Sequence, residues 1–223
     1  MGDFAAHAHQ WGDRVMKVLV GCEYSGIVRE AFARLGHDAW SCDILPTEQP
    51  GNHIQGDIME VINDGWDLAI FHPPCTYLSY AATSSWNNPG RCQLRIQALD
   101  FFRRLWEAPI ERICIENPRG CASPTIAKYS QLIQPYFFGD PESKATCLWL
   151  KNLPLLTHCD GDTLFEQNTH TKPKIYAYGK TGKKKGKPIY GNNYLMQRPD
   201  RAHIRSKTFP GIAAAMADQW GNL

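Results

Sequence analysis

Apolar residues come in short bursts along the chain, each closed by a turn residue. Residues 16–20 are such a burst ending in Gly21, which predicts a buried strand. Ile27, Val28, Ala31, Phe32 and Leu35 then recur at helical spacing and stop at Gly36, so a helix with a glycine C-cap is predicted. Residues 37–42 predict a second strand ending at Asp43. Gly56-Asp57 introduces a short helical stretch, and residues 67–71 predict a strand that Pro73 and Pro74 terminate. Leu94, Ala98, Phe101, Phe102 and Leu105 share one side of a helix running to Trp106, and residues 112–115 are strand-like again. Strands alternating with helices predict βαβ units: an α/β fold, Rossmann-like, with a mostly parallel sheet covered by helices on both faces. Beyond Pro118 the pattern weakens. Residues 147–150 predict a strand and 212–220 a terminal helix, and no internal repeat is present.

Composition bounds this picture. The chain has 223 residues, 43% hydrophobic and 21% charged, which excludes disorder as its main state and suits one domain over residues 15–223 with 1–14 as an extension. No apolar run approaches the roughly 18 residues of a membrane span, and residues 1–14 lack the apolar stretch of a secretory signal. A cytoplasmic location is expected. The eight cysteines form no CxxC pair, so reduced thiols are expected rather than a disulfide framework. His158, Cys159 and His170 match no common zinc spacing, and no metal is expected.

The formal charge of +2 conceals an asymmetry. Residues 170–207 hold eight Lys and three Arg against the single acid Asp200, while the rest of the chain has 13 basic and 21 acidic residues. Tyr176, Tyr178, Tyr190 and Tyr194 are interleaved with these cations. Cations mixed with aromatics suit phosphate neutralisation and base stacking. Residues 158–208 therefore read as a basic, loop-rich segment contacting nucleic acid, with Lys183, Lys184, Lys185, Lys187, Arg198 and Arg201 as candidate contacts.

In open α/β sheets ligands bind beyond the carboxyl ends of the strands, and the unusual short motifs lie there. Gly21 and Gly26 bracket a turn opening the first helix, where backbone amides can approach a ligand. Asp43 follows Gly21 by 22 residues, the placement of an acid that binds ribose hydroxyls, and Asp57 is placed to accept from an adenine amino group. A nucleoside-containing cofactor is expected. Cys75, on a stiff turn after Pro73-Pro74, is a candidate nucleophile, and His72 stands near enough in sequence to lower its pKa. Glu116 enters directly after an apolar strand, where poor solvation favours the protonated form and suits a general acid.

Gly21-Cys22-Glu23-Tyr24-Ser25-Gly26, Asp43, Gly56-Asp57, Pro74-Cys75 and Glu116-Asn117 resemble, in order and rough spacing, the motifs of S-adenosylmethionine-dependent DNA cytosine-5 methyltransferases. Residues 143–155 and 206–215 look like those of small phage-type members. The resemblance implies a methyltransferase fold in which Gly21, Glu23, Tyr24, Ser25, Gly26, Asp43, Ile44, Asp57, Ile58 and Pro73 hold S-adenosylmethionine. It further implies that Cys75 attacks carbon 6 of a flipped-out cytosine, Glu116 protonates nitrogen 3, and carbon 5 takes the methyl group. Asn117 would hold the loop, and Arg205 would contact the target base. About 85 residues separate Asn117 from Arg205, fewer than larger members devote to target recognition, so a short motif in DNA or a single strand is expected. A free nucleotide or RNA as substrate, or a binding protein without catalysis, are the alternatives. An amino-directed methyltransferase is disfavoured, because His72 and Cys75 replace the residues that would clamp an exocyclic amine.

Overall fold

The computed structural model describes residues 14–159, 169–190 and 207–223. The first half alternates as expected: β1 (Lys17–Gly21), α1 (Ile27–Arg34), β2 (Asp38–Asp43), β3 (His53–Gln55), α2 (Ile58–Val61), β4 (Leu68–Phe71), α3 (Arg91–Trp106) and β5 (Arg112–Asn117). α4 (Ala122–Thr125), β6 (Gln131–Ile133) and β7 (Thr146–Lys151) come next, then β8 (Ile175–Tyr178), β9 (Pro188–Tyr190) and the terminal helix α5 (Pro210–Trp220). No described helix is long and apolar enough to cross a membrane.

Seven strands form one sheet in the order β3-β2-β1-β4-β5-β7-β6. β1 to β5 pair in parallel, whereas β7 runs antiparallel to both β5 and β6. The fold class is thus the expected α/β one, with a mostly parallel sheet. Alternation along each strand divides the core in two. Val18, Val20, Leu68, Ile70 and Cys114 face α1 and α5, meeting Val28, Phe32, Ile212, Met216 and Trp220. Leu19, Ala69, Phe71, Ile113 and Ile115 face the opposite side, meeting Ile58, Phe102 and Leu105. Helices cover both faces, which is why the parallel strands are apolar almost throughout.

β3 and β6 lie beyond the predicted elements. At three residues each they are too short for alternation to show. β8 and β9 make a separate antiparallel hairpin within the basic segment. The reversal of β7 bears directly on the functional site. In the antiparallel register Asn117 lies opposite Cys147, so β7 begins where β5 ends. The connection entering β7 therefore arrives at the carboxyl edge of the parallel strands, where the motif residues stand.

Candidate active site

The strand order changes direction at β1, which has β2 on one side and β4 on the other. Such a switch point opens a crevice at the carboxyl ends of the two central strands. Here those ends are Gly21-Cys22 and His72-Pro73.

On the β1 side, Gly21 must lack a side chain: a Cβ there would stand 2.6 Å from the Phe71 ring and 2.8 Å from Ile58 Cδ1. Cys22 turns left-handed at φ 59°, and the amides of Cys22 and Glu23 donate to the Cys42 carbonyl at 2.8 and 3.3 Å, closing the turn over β2. Glu23 is buried, and its carboxylate accepts from the amides of Val28 (2.7 Å) and Arg29 (3.3 Å) and from Ser25 Oγ (3.2 Å). The side chains of Glu23 and Ser25 thus serve the start of α1. Gly26 precedes α1 at φ 72°. Ile58 is buried in the core with its Cδ1 packed against Gly21.

The acids are placed differently. The Cys22 amide bonds the carbonyl of Cys42 and the Gly56 amide that of Asp43 at 3.0 Å, which sets the backbone of Asp43 and Asp57 next to that turn. Burial raises the Cys22 thiol far above its ordinary value, and the two carboxylates add to the rise. Asp43 Oδ1 accepts from the Leu45 amide at 2.9 Å, and Asp57 Oδ1 caps α2 through the Met59 amide at 2.9 Å. Each keeps an oxygen free of these bonds. Ile44, next to Asp43, is 74% exposed. The loop that carries it is anchored by Arg29, wholly buried in α1, whose guanidinium donates to Ser41, Thr47, Glu30 and the carbonyls of Gln49 and Pro50. Tyr24 takes part through its carbonyl, which accepts from the Glu48 amide at 2.8 Å.

On the β4–β5 side the two strand tips are stitched together. Phe71 pairs with Ile115, so His72 and Glu116 emerge side by side. His72 Nδ1 lies 2.8 Å from Glu116 Oε2. One residue on, the buried Asn117 donates from Nδ2 to the Pro73 carbonyl at 2.8 Å. Cys75 comes next, on a turn where its carbonyl accepts from the Leu78 and Ser79 amides at 3.1 and 3.0 Å, and the residue is exposed. Beyond it, Ser79 bridges Gly120, Cys121 donates to the Leu78 carbonyl at 2.9 Å and Tyr80 donates to the Arg119 carbonyl at 3.1 Å. A Cβ on Gly120 would fall 2.1 Å from the Leu78 carbonyl oxygen, which explains the glycine. The loop after Cys75 is held on α3: Arg91 donates to the Thr76 carbonyl at 2.8 Å, and Arg95 stacks 4.1 Å over Trp86.

Two further residues complete this cluster, and neither is among the sequence-predicted site residues. Lys144, from the connection into the reversed β7, places Nζ 3.7 Å from Glu116 Oε1. Thr208, just ahead of α5, donates to Glu116 Oε2 at 3.4 Å and touches His72 Nδ1 at the same distance. The sequence signal for both is only their position inside the stretches 143–155 and 206–215.

The charge of Glu116 corrects the expectation of a protonated acid. Burial does push its pKa up, but Lys144, the His72 hydrogen bond and charge, and the Thr208 hydrogen bond together overcome this and hold it at about 2. The residue is a carboxylate. His72 is likewise committed to Glu116 rather than to the Cys75 thiol.

The basic segment is partly described. Lys183, Lys185 and Lys187 are exposed at the tip of the β8–β9 hairpin, with Tyr178 59% exposed, and Lys184 lies in the same short helical turn. The hairpin docks on the connection ahead of β7, where the Tyr176 hydroxyl donates to Glu142 and the Lys174 amide donates to the Pro141 carbonyl at 2.8 Å. Arg198, Arg201 and Arg205 lie outside the described residues. His158 Nδ1 meets His170 Nε2 at 2.7 Å, both rings stacked on Phe137.

No family model and no curated protein matches the chain. Among solved structures it is similar to the Entamoeba histolytica methyltransferase EhMeth, with 16% identity and a TM-score of 0.45 over 73% of this chain and 58% of that one. It is also similar to the S. pombe Dnmt2 methyltransferase, with 18% identity and a TM-score of 0.39 over 62% of this chain and 50% of the other. The chain spans about half the length of these structures.

Proposed function

We propose that this chain is an S-adenosylmethionine-dependent methyltransferase acting at carbon 5 of cytosine in nucleic acid, with DNA as the expected polymer. The observation that carries the reading is the stitched pair of strand tips: an exposed Cys75 on the β4 tip and a shielded carboxylate, Glu116, on the β5 tip, joined by the Asn117–Pro73 hydrogen bond. A thiol reachable from solvent beside a fixed carboxyl group suits covalent addition to a ring whose polar edge must be held.

The residues around the β1 turn fit the cofactor. Asp43 and Asp57 converge on one turn, which suits ribose hydroxyls and an amino group, and the exposed Ile44 offers an apolar surface to an adenine ring. Bound there, S-adenosylmethionine would supply an electrophilic methyl group.

Carbon 5 of cytosine is a weak nucleophile on its own. Addition of the Cys75 thiolate to carbon 6 moves the displaced electron pair through carbon 4 to nitrogen 3, and carbon 5 becomes enamine-like. Glu116 faces nitrogen 3, and the Asn117 bond keeps Pro73, hence Cys75, in register with it. Reaching the base in a duplex means flipping it out at a cost of a few kcal/mol, about what phosphate contacts from the lysines of the β8–β9 hairpin would offset.

The test is adduct formation with 5-fluorocytosine in duplex and single-stranded DNA and in RNA, in the presence of S-adenosylmethionine. A denaturation-resistant adduct that Cys75→Ser eliminates, with cofactor binding intact, is expected. Binding without an adduct on every polymer would leave a nucleic-acid-binding protein, and an adduct that persists in Cys75→Ser would displace the nucleophile assignment.

A further inference from the structure

An ionised Glu116 poses a problem for that chemistry. Nitrogen 3 needs a proton as Cys75 adds, and a carboxylate has none to give. His72 is the neighbour that can hold one. Its Nδ1 lies 2.8 Å from Glu116 Oε2, and because a carboxylate only accepts, Nδ1 carries the hydrogen. Its other nitrogen, Nε2, is buried and has no hydrogen-bond partner among the described residues. The His72 side chain is 8% exposed and that of Glu116 10%, so bulk water is largely kept from the pair. A buried imidazole nitrogen with no partner gives up hydrogen bonding that a purely structural histidine would secure. Among the described residues the charged groups bonded or ion-paired to this pair are each other and Lys144, with the Thr208 hydroxyl beside them.

We infer that His72 is the proton store for Glu116, and that the two act as a relay to nitrogen 3 of the target base. This rests on the methyltransferase reading proposed for the same site. As the Cys75 sulfur bonds to carbon 6, the imidazolium of His72 passes its Nδ1 proton to Glu116, and Glu116 passes a proton to nitrogen 3. Imidazole is left neutral and the carboxylate is restored. When the carbon 5 hydrogen departs to solvent and the carbon–sulfur bond breaks, the nitrogen 3 proton returns by the same path. Charge and protons balance, and no further reactant is needed. Thr208 and Lys144 are positioning residues, holding the two oxygens of Glu116.

The test uses release of tritium from carbon 5 of cytosine in a random-sequence oligonucleotide pool, duplex and single-stranded, which reports addition of Cys75 without methyl transfer. Rates are compared between the wild-type chain and His72→Asn, whose amide can still donate to Glu116. Without His72 the proton must come from the small protonated fraction of Glu116, which falls tenfold per pH unit. The ratio of wild-type to variant rate should therefore rise with pH, by about tenfold per pH unit for as long as His72 supplies the proton. The thiol's own ionisation cancels in that ratio. A ratio equal at every pH would overturn the relay while leaving the methyltransferase reading intact. Absence of release from the wild type would overturn that reading, and the relay with it. Should the variant not fold, the wild type still decides: the break in its rate profile must coincide with the His72 imidazole titration followed by nuclear magnetic resonance, and a mismatch refutes the relay.

Discussion

Asn117 Nδ2 lies 2.8 Å from the carbonyl oxygen of Pro73, so the residue after the carboxylate holds the residue two before the thiol. Both are buried, and the bond crosses between neighbouring parallel strands just past their last paired residues. Asn117→Ala removes the donor and leaves a buried carbonyl unpaired, which costs about 1–3 kcal/mol. The expected outcome is a stability loss of that size by denaturant unfolding, together with a fall in adduct formation and unchanged S-adenosylmethionine affinity. Equal losses in both activities would mean a general collapse of the site.

Gly120→Ala should act on the thiol from a distance. Its Cβ would meet the Leu78 carbonyl at 2.1 Å, and backbone cannot yield as a flexible side chain can. The Ser79–Gly120 bridge must open, and the turn carrying Cys75 moves with it. Alkylation by iodoacetamide, mapped by mass spectrometry, should label Cys75 and Cys92 first in the wild type, since these two are exposed. In Gly120→Ala the Cys75 rate should change while the Cys92 rate does not.

Acid should unfasten the Glu116 cluster. The folded carboxyl titrates at about 2 against an ordinary 4.5, so its contribution to stability is complete above the ordinary value and is lost as pH falls toward the folded one. The midpoint of thermal unfolding should decline between about pH 5 and pH 2. Glu116→Gln should be less stable at neutral pH and should show a shallower decline over that window. Parallel curves would mean that other carboxylates dominate.

Much of this site is readable from local pattern. Gly21, Asp43, Cys75 and Glu116 sit at the ends of apolar runs, and strand ends are where a sheet of this class exposes chemistry. What local pattern does not carry depends on contacts distant in sequence. His72 and Glu116 are 44 residues apart, and Thr208 is 136 residues from His72. Lys144 reaches the site only because β7 runs backward, a fact of sheet order that no local periodicity encodes. The ionised state of Glu116 comes from these neighbours, so the apolar strand taken alone points the wrong way. Glu23 is ambiguous for a related reason: the same acid type serves a ligand or its own helix start, and the five-residue reach to the Val28 amide that shows the helix-start bond is not visible in the sequence.

The lysine-tipped hairpin should govern salt dependence rather than chemistry. Replacing Lys183, Lys185 and Lys187 with Ala should reduce the slope of log binding constant against log salt by roughly 2–3 for duplex DNA, about 0.9 per lost phosphate contact. Tritium release at saturating oligonucleotide should be unaltered. A slope identical to the wild type would remove the hairpin from the interface.

Two adjacent residues ahead of α5 reach opposite flanks of the crevice. Lys207 Nζ is 2.6 Å from Glu48 in the loop that Arg29 anchors, and Thr208 touches His72 and Glu116. One peptide unit thus links the loop between β2 and β3 with the His72–Glu116 pair. Anything that displaces Glu48 pulls on Thr208, and thermodynamic reciprocity requires the traffic to run both ways. A ligand that favoured the arrangement of one flank would change affinity at the other by the same factor, whichever arrived first.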